Sequence, residues 1–279
     1  MDRKQYLPLI RMALAEDLGK AGDVTSLAIF PKKKNAAFTL LSKDDGILCG
    51  MEQFSAVFAE LDRKISVEAY FRDGDALKKG DVVARVRGNL TAILSGERTS
   101  LNIVSHLSGI ATKTAALVRA AGKKPIVLDT RKTIPGMRYL QKYAVATGGG
   151  QNHRMGLFDM VLIKDNHVDA AGGIANAVRM ARERWGDKYK IEVETRNLDE
   201  VREAVSLAVD RIMLDNMDDA TMKEAVEAIA GRAETEASGN MTIERLKGLA
   251  ETGVDFVSFG ELTHTVKIFD FSLKQESCE

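Results

Sequence analysis

The chain has 279 residues, 45% hydrophobic and 29% charged, enough for one large domain or for a small and a mid-sized one with a real core. Lys+Arg and Asp+Glu both number 40, so no global basic field draws it to nucleic acid or a membrane surface, and an anionic ligand must be held by a local cluster. Its apolar runs are too short to span a membrane, its start (Met1, Asp2, Arg3, Lys4) does not read as a signal peptide, and Cys49 and Cys278 suit neither metal-ligand spacing nor a disulfide framework, so a cytoplasmic location is expected.

Helical spacing predicts a leading helix over Leu7–Leu18. Strand-like runs follow at 37–41, 65–70 and 82–86, punctuated by Gly46, Gly74, Gly80 and Gly88. The run GDALKKGDVVARVRG reads as a compact β-hairpin region. A long helix is predicted over 91–121, where Leu94, Arg98, Leu101 and Ser105 recur at helical spacing. From Pro125 the texture becomes regular, with strand-like runs at 126–130, 160–165, 190–195, 211–216, 235–239 and 256–260. Helical stretches such as 170–184 and 220–230 lie between most of them. That alternation predicts a parallel sheet, and six strands in succession favour a complete or partial α/β barrel over an open sheet. The change of texture puts an N-terminal domain at 1–106 and a barrel domain at 107–279, with a C-terminal helix packing back on the first domain.

Polar residues end nearly every run of the second half: Asp129-Thr130-Arg131-Lys132, Lys164-Asp165-Asn166-His167, Glu192 and Glu194, Asp215-Asn216, Glu236 and Ser238, Ser258 and Gly260. In a parallel barrel all these ends share one rim, and charges among apolar strands are costly unless paired or bound to ligand. The segment 129–167 gathers Arg131, Lys132, Arg138, Lys142, His153, Arg154 and Lys164. Guanidinium forks grip carboxylate and phosphate with two hydrogen bonds, so this cluster suits a ligand with several anionic groups. Arg138 and Lys142, four apart on a helix, read equally well as a solvated face, and the GGG at 148–150 permits close backbone approach.

Glu192 and Glu194 alternate with Ile191 and Val193 and so face one side, and Asp215 ends the next strand. Such carboxylates form a salt-bridge net or a hard-metal site, and Mg²⁺ is usually held by one or two carboxylates together with substrate phosphates. Glu194 and Asp215 are the metal candidates, with Glu192 deeper as a structural partner. Ser238-Gly239-Asn240 and Ser258-Phe259-Gly260 each precede a helix and offer backbone N–H groups to a phosphate, tight βα turns being the plainer reading. His106 reads as structural, while His167 and His264 suit either caps or ligand contacts.

DTRKT-PG, KYAVATGGGQNHRMGL, LIKDNH, EVE, IMLDN, EASG and G-LTH, in this order, resemble the quinolinate phosphoribosyltransferase family (nicotinate-nucleotide pyrophosphorylase, carboxylating). ALAEDLGKAGDVTS and ERTSLN extend the resemblance to about 13–265. It implies an N-terminal α/β sandwich followed by an open, incomplete α/β (TIM-like) barrel. It also implies conversion of quinolinate and phosphoribosyl pyrophosphate to nicotinate mononucleotide, pyrophosphate and carbon dioxide, in NAD biosynthesis, with Mg²⁺ and no organic cofactor. By resemblance Arg131, Lys132, His153, Arg154 and Lys164 line the dicarboxylate and pyrophosphate region, and Glu194 and Asp215 lie near ribose and metal. Lys132, Lys164, Glu194 and Asp215 are the expected catalytic set, and Ser238, Gly239, Asn240, Ser258 and Gly260 the expected seat of the 5′-phosphate. Arg98 matches an arginine lent to the neighbouring subunit of a homodimer.

The chain departs from the family pattern at Asn240, where a second glycine is common, at Glu261, where alanine is common, and at Thr195, usually apolar. EDLGKAGD also carries an extra residue. Alternatives are the molybdate-uptake-associated paralogues, which usually lack a lysine at position 164, and a Schiff-base aldolase using Lys164. The hairpin region is similar to biotinyl or lipoyl carriers but lacks their Met-Lys-Met turn.

Overall fold

A computed structural model describes residues 2–276, and Cys278 lies outside the described residues. The chain opens with α1 (Leu7–Leu18) and α2 (Val24–Ile29), the latter capped by Asp23, which accepts the Ser26 N–H. Then come β1 (Asn35–Ser42), β2 (Gly46–Ile47), α3 (Met51–Leu61), β3 (Ser66–Ala69), β4 (Ala76–Leu77), β5 (Val82–Asn89) and the 32-residue α4 (Leu90–Ala121). The second half runs β6 (Ile126–Leu128), α5 (Arg138–Thr147), β7 (Val161–Ile163), α6 (Asp165–Ala171), α7 (Ile174–Trp185), β8 (Ile191–Thr195) and α8 (Leu198–Ser206). It ends with β9 (Arg211–Asp215), α9 (Asp219–Ile229), β10 (Glu234–Ser238), α10 (Leu246–Thr252), β11 (Phe256–Ser258), α11 (Glu261–His264) and β12 (Phe271–Gln275).

These elements form two compact units. The first comprises Met1–Ala115, Thr133–Gly149 and Leu262–Glu279. Its four-stranded antiparallel sheet has the order β12-β1-β5-β3. Phe38 and Leu40 of β1, Phe54 and Phe58 of α3, and Leu101 and Val104 of α4 share one core. Each side chain of this size contributes about 1.5–3 kcal/mol by leaving water. The run at 75–89 is no local hairpin: β4 pairs with β2, while β5 fills both of its edges with β1 and β3. The Leu48 N–H and carbonyl bond Asp75 and Gly74, which ties β4 to β2. The C-terminal segment is a strand and not a helix. In FSLKQ, Phe271 and Leu273 are buried with period two, and the strand joins β1 in the register Phe271↔Ser42 to Gln275↔Phe38.

The second unit comprises Ala116–Lys132 and Gly150–Glu261. Its six parallel strands have the order β6-β11-β10-β9-β8-β7. Among the described residues β6 and β7 do not pair, and an isolated bridge from Leu128 to Gln151 extends β6, so the α/β barrel is open between its first two strands. Every residue of β8 is buried, as in a strand covered on both faces. The helix expected over 170–184 begins at Ile174 as α7, because Gly172 and Gly173, at φ 78° and 125°, part it from α6.

Candidate active site

Neighbours in a parallel register point the same way, so the pairings sort the inner face of the second unit into layers. Glu192, Arg211 and Glu234 lie side by side, then Glu194, Met213 and Glu236, then Asp215 and Ser238 at the strand ends. The polar residues read from sequence at the ends of β8, β9 and β10 therefore do share one face.

The deepest part is a charged network. His153 Nε2 lies 3.0 Å from Glu192 Oε2 and 3.4 Å from Glu236 Oε2, both carboxylates being fully buried. Arg211 bonds Glu236 Oε2 at 3.1 Å and Glu234 Oε2 at 2.9 Å, and its guanidinium lies 4.1 Å from the Phe256 ring centre. Burial, then the Glu236 charge, pushes the Glu192 carboxyl up. Burial also opposes the Glu236 charge, but the His153 bond and the Arg211 charge hold that carboxyl down. Burial lowers the His153 pKa, yet the two carboxylates win and pull it up to about 9. A second contact opposes full protonation: the Arg154 N–H donates to His153 Nδ1 at 2.7 Å, so Nδ1 has no proton of its own and Nε2 carries one. The same bond bears on metals. His153, Glu192 and Glu236 offer atoms within 4.8 Å of one another, and a metal there would compete with the Nε2 proton and with Arg211 on Glu236.

Nearer the strand ends, the Lys164 ammonium donates to Glu194 Oε2, joining β7 to β8. The Lys164 N–H donates to His167 Nδ1 at 3.0 Å, which makes His167 a capping residue of α6 and sets the lysine at the strand end. Arg154 donates to the Met160 carbonyl at 3.3 Å. Burial, then the charge of Arg131, lowers its pKa, while Glu192 and Asp159 oppose that. Arg131 is half-buried and Lys132 exposed, one residue beyond it. Asp215 is half-buried, and its Oδ2 accepts from Asn216 Nδ2 at 2.6 Å. The Asn216 N–H bonds the Ser238 carbonyl at 3.0 Å and its Oδ1 accepts from Asn240 at 3.5 Å. Asn216 and Asn240 both have positive φ, 55° and 45°, which asparagine tolerates better than other side-chain residues. Asn240 thus supplies the left-handed backbone that a glycine would.

Of the two turns expected to seat a phosphate, 258–260 leads directly into α11, whereas 238–240 is followed by a further turn before α10. Glu261 lies in the first turn of α11, where a helix N-terminus favours a carboxylate, and buried Thr195 donates to the Met213 carbonyl at 2.9 Å.

The remaining candidates belong to the first unit. Arg98 is exposed on α4. Lys142 is fully buried on α5, so the solvated-face reading fails there, and Arg138 donates to Thr133 at 2.9 Å. His106 Nε2 lies 2.8 Å from Gln141 Nε2. A Cβ on Gly148 would meet the Ala111 carbonyl at 2.4 Å, the close approach expected of the GGG run. Sequence reading missed Arg211 and passed over the role of Asn216. The alternation R-I-M-L-D, which puts Arg211 on the same side as Asp215, was the available signal for the first.

Glu194 and Asp215 carry oxygen donors of the hard type that Mg²⁺ takes. The half-buried Asp215 carboxylate remains reachable, while Glu194 shares its charge with Lys164.

Residues 23–108 match the family model described as quinolinate phosphoribosyl transferase, N-terminal domain, and residues 110–274 match the C-terminal domain of the same family. The chain is 46% identical to the chloroplastic nicotinate-nucleotide pyrophosphorylase [carboxylating] of Arabidopsis thaliana, over 95% of this chain and 81% of that protein. It is 42% identical to the probable nicotinate-nucleotide pyrophosphorylase [carboxylating] of Bacillus subtilis, over 98% of this chain and 94% of that one. It is similar to the crystal structure of NadC from Streptococcus pyogenes, with TM-score 0.95 and 40% identity, covering 98% of this chain and 97% of that one.

Proposed function

The chain belongs to the quinolinate phosphoribosyltransferase family, and from that premise we infer that it is a pentosyltransferase forming nicotinate mononucleotide, pyrophosphate and carbon dioxide from quinolinate and phosphoribosyl pyrophosphate. The observation that carries this for the site is the Lys164 ammonium on Glu194 at the ends of β7 and β8, with Asp215 ending the neighbouring β9.

In this reading Arg131, Arg154 and Lys164 grip the two carboxylates of quinolinate. The pyridine nitrogen lone pair forms a bond to C1 of the ribose as the C1–O bond breaks, and that electron pair leaves with pyrophosphate. Glu194 and Asp215 offset the positive charge that builds on the sugar. Lys132 and the turns 238–240 and 258–260 hold the phosphates. The alkylated ring nitrogen is cationic, so the bond between C2 and its carboxylate breaks with the pair left at C2, which then takes a proton. The 3-carboxylate has no such sink and stays. Mg²⁺ held by Asp215 and Glu194 would neutralise the leaving pyrophosphate.

The same proposal includes a homodimer with Arg98 acting on the neighbouring subunit, and a cytoplasmic location. A free, buried Cys49 supports the latter. Among the described residues no helix is long and apolar enough to cross a membrane. The Glu194 contact also argues against a Schiff-base role for Lys164, because an ion-paired ammonium has no lone pair to offer a carbonyl. Incubation with quinolinate, phosphoribosyl pyrophosphate and Mg²⁺ is expected to release carbon dioxide and nicotinate mononucleotide in equal amounts. Absence of the nucleotide with folded protein would reject the assignment.

A further inference from the structure

We propose that Glu236, braced by Arg211 and joined by Glu192, is a positioning residue for quinolinate capture: it fixes His153 as the Nε2–H tautomer, and His153 in turn fixes the backbone of Arg154. The inference rests on the reading of Arg154 as a quinolinate contact.

The imidazole has a polar neighbour at each ring nitrogen, and the residue's backbone N–H is bonded as well. Its backbone N–H donates to Oδ1 of the fully buried Asp129 at 2.9 Å. Nδ1 accepts the Arg154 N–H at 2.7 Å, and Nε2 faces the two carboxylates at 3.0 and 3.4 Å. An imidazole accepting at Nδ1 must carry its proton at Nε2, and two converging carboxylates are the acceptors that form wants. The side chain is 7% exposed, so it works through its neighbours and not as a free group at the surface.

Glu236 is itself held still. Arg211 reaches it at 3.1 Å while binding Glu234 and lying over the Phe256 ring, so the guanidinium has no second place to go. What the network fixes is the backbone of Arg154, whose guanidinium donates to the Met160 carbonyl at 3.3 Å and is opposed by burial and by the charge of Arg131. Two like charges left to themselves part, and holding them together before substrate arrives lowers the cost of binding a dianion.

Losing a hydrogen bond to a charged group typically shifts an equilibrium by about tenfold to a hundredfold. The variants are Glu236→Gln and the charge-balanced double variant Glu236→Gln with Arg211→Met, which keeps a foldable interior if the single change does not. Arg154→Ala is the reference for the underlying reading. Measured quantities are the Kd for quinolinate alone, KM for each substrate, the thermal midpoint, and ¹⁵N resonances of the imidazoles in wild type and His153→Asn. Quinolinate Kd and KM are expected to rise about tenfold to a hundredfold in both Glu236 variants, with the KM for phosphoribosyl pyrophosphate within about threefold. In wild type, the resonances lost in His153→Asn are expected to show a protonated Nε2 and an unprotonated Nδ1. If Arg154→Ala loses quinolinate while both Glu236 variants bind it normally, or if His153 Nδ1 carries a proton, alone or together with Nε2, the positioning role is overturned and the family reading stands. Normal quinolinate binding by Arg154→Ala would overturn the Arg154 assignment and this inference with it.

Discussion

Lys164 and Glu194, 30 residues apart in the chain, meet as an ion pair across the seam of β7 and β8. The lysine side chain is 45% exposed and the glutamate 9%, so each partner alone would leave a different penalty: a solvated ammonium, or a carboxylate nearly sealed from water. The pair is expected to act as a unit. Lys164→Met and Glu194→Gln should each lower kcat/KM by more than about a hundredfold, and the double variant should be no worse than the slower single one within about threefold. Losses that multiply would show the two side chains working independently.

Nicotinate is expected to be a far poorer substrate than quinolinate. Arg154 and Lys164 supply charges suited to two carboxylates, and a site built for polar groups rejects an analogue lacking one by about 10⁴. Comparable kcat/KM values for the two acids would remove this explanation of the cation cluster.

Asp215→Asn and Glu194→Gln are expected to lower kcat by about 10² or more, and in Asp215→Asn quinolinate alone should still bind within about threefold. Chelation of Mg²⁺ from the wild-type enzyme should mimic the loss of turnover without altering quinolinate binding. Turnover that survives chelation would refute the metal assignment, and a variant with near-normal kcat would refute that carboxylate.

Gly239 is pinned by Asn216: with φ at 90°, a Cβ there would lie 2.2 Å from Asn216 Oδ1 and 2.9 Å from its backbone nitrogen. Gly239→Ala is expected to destabilise the fold by about 1–3 kcal/mol and to raise the KM for phosphoribosyl pyrophosphate. Gly231→Ala is the control, since φ there is also positive, at 72°, but nothing lies within 4 Å of the added carbon. Equal thermal midpoints for the two variants would show that the clash carries no weight.

Arg98→Ala and Glu194→Ala are each expected to be nearly inactive. If Arg98 serves a neighbouring subunit, unfolding and refolding the two together should restore about a quarter of wild-type activity, because roughly half of the dimers are mixed and each has one intact site. No recovery, with mixed dimers confirmed by mass, would assign Arg98 to its own chain.

Local pattern was enough to predict much of this protein. The alternation of apolar strands with helices announces the parallel sheet, and the runs expected at 190–195 and 211–216 lie within a residue of β8 and β9. The helix expected over 220–230 lies within a residue of α9, because Asp218 caps a continuous helical face there. These features depend on neighbours a few residues away, which a linear sequence displays directly.

Partner choice is different. Nothing in GDALKKGDVVARVRG says that β4 will join β2 and leave β5 to β1 and β3, since an edge can pair with any strand whose backbone groups are free. The C-terminal strand needed β1 to become a strand at all. At the site, sequence named Glu192 and His153 and placed Glu236 near the end of its run, but their convergence with Arg211 depends on the stagger of three parallel strands and on the loop that carries His153. Reactive residue types were legible one by one. Their distances, and with them which proton sits on which nitrogen, were decided only when the strands were packed side by side.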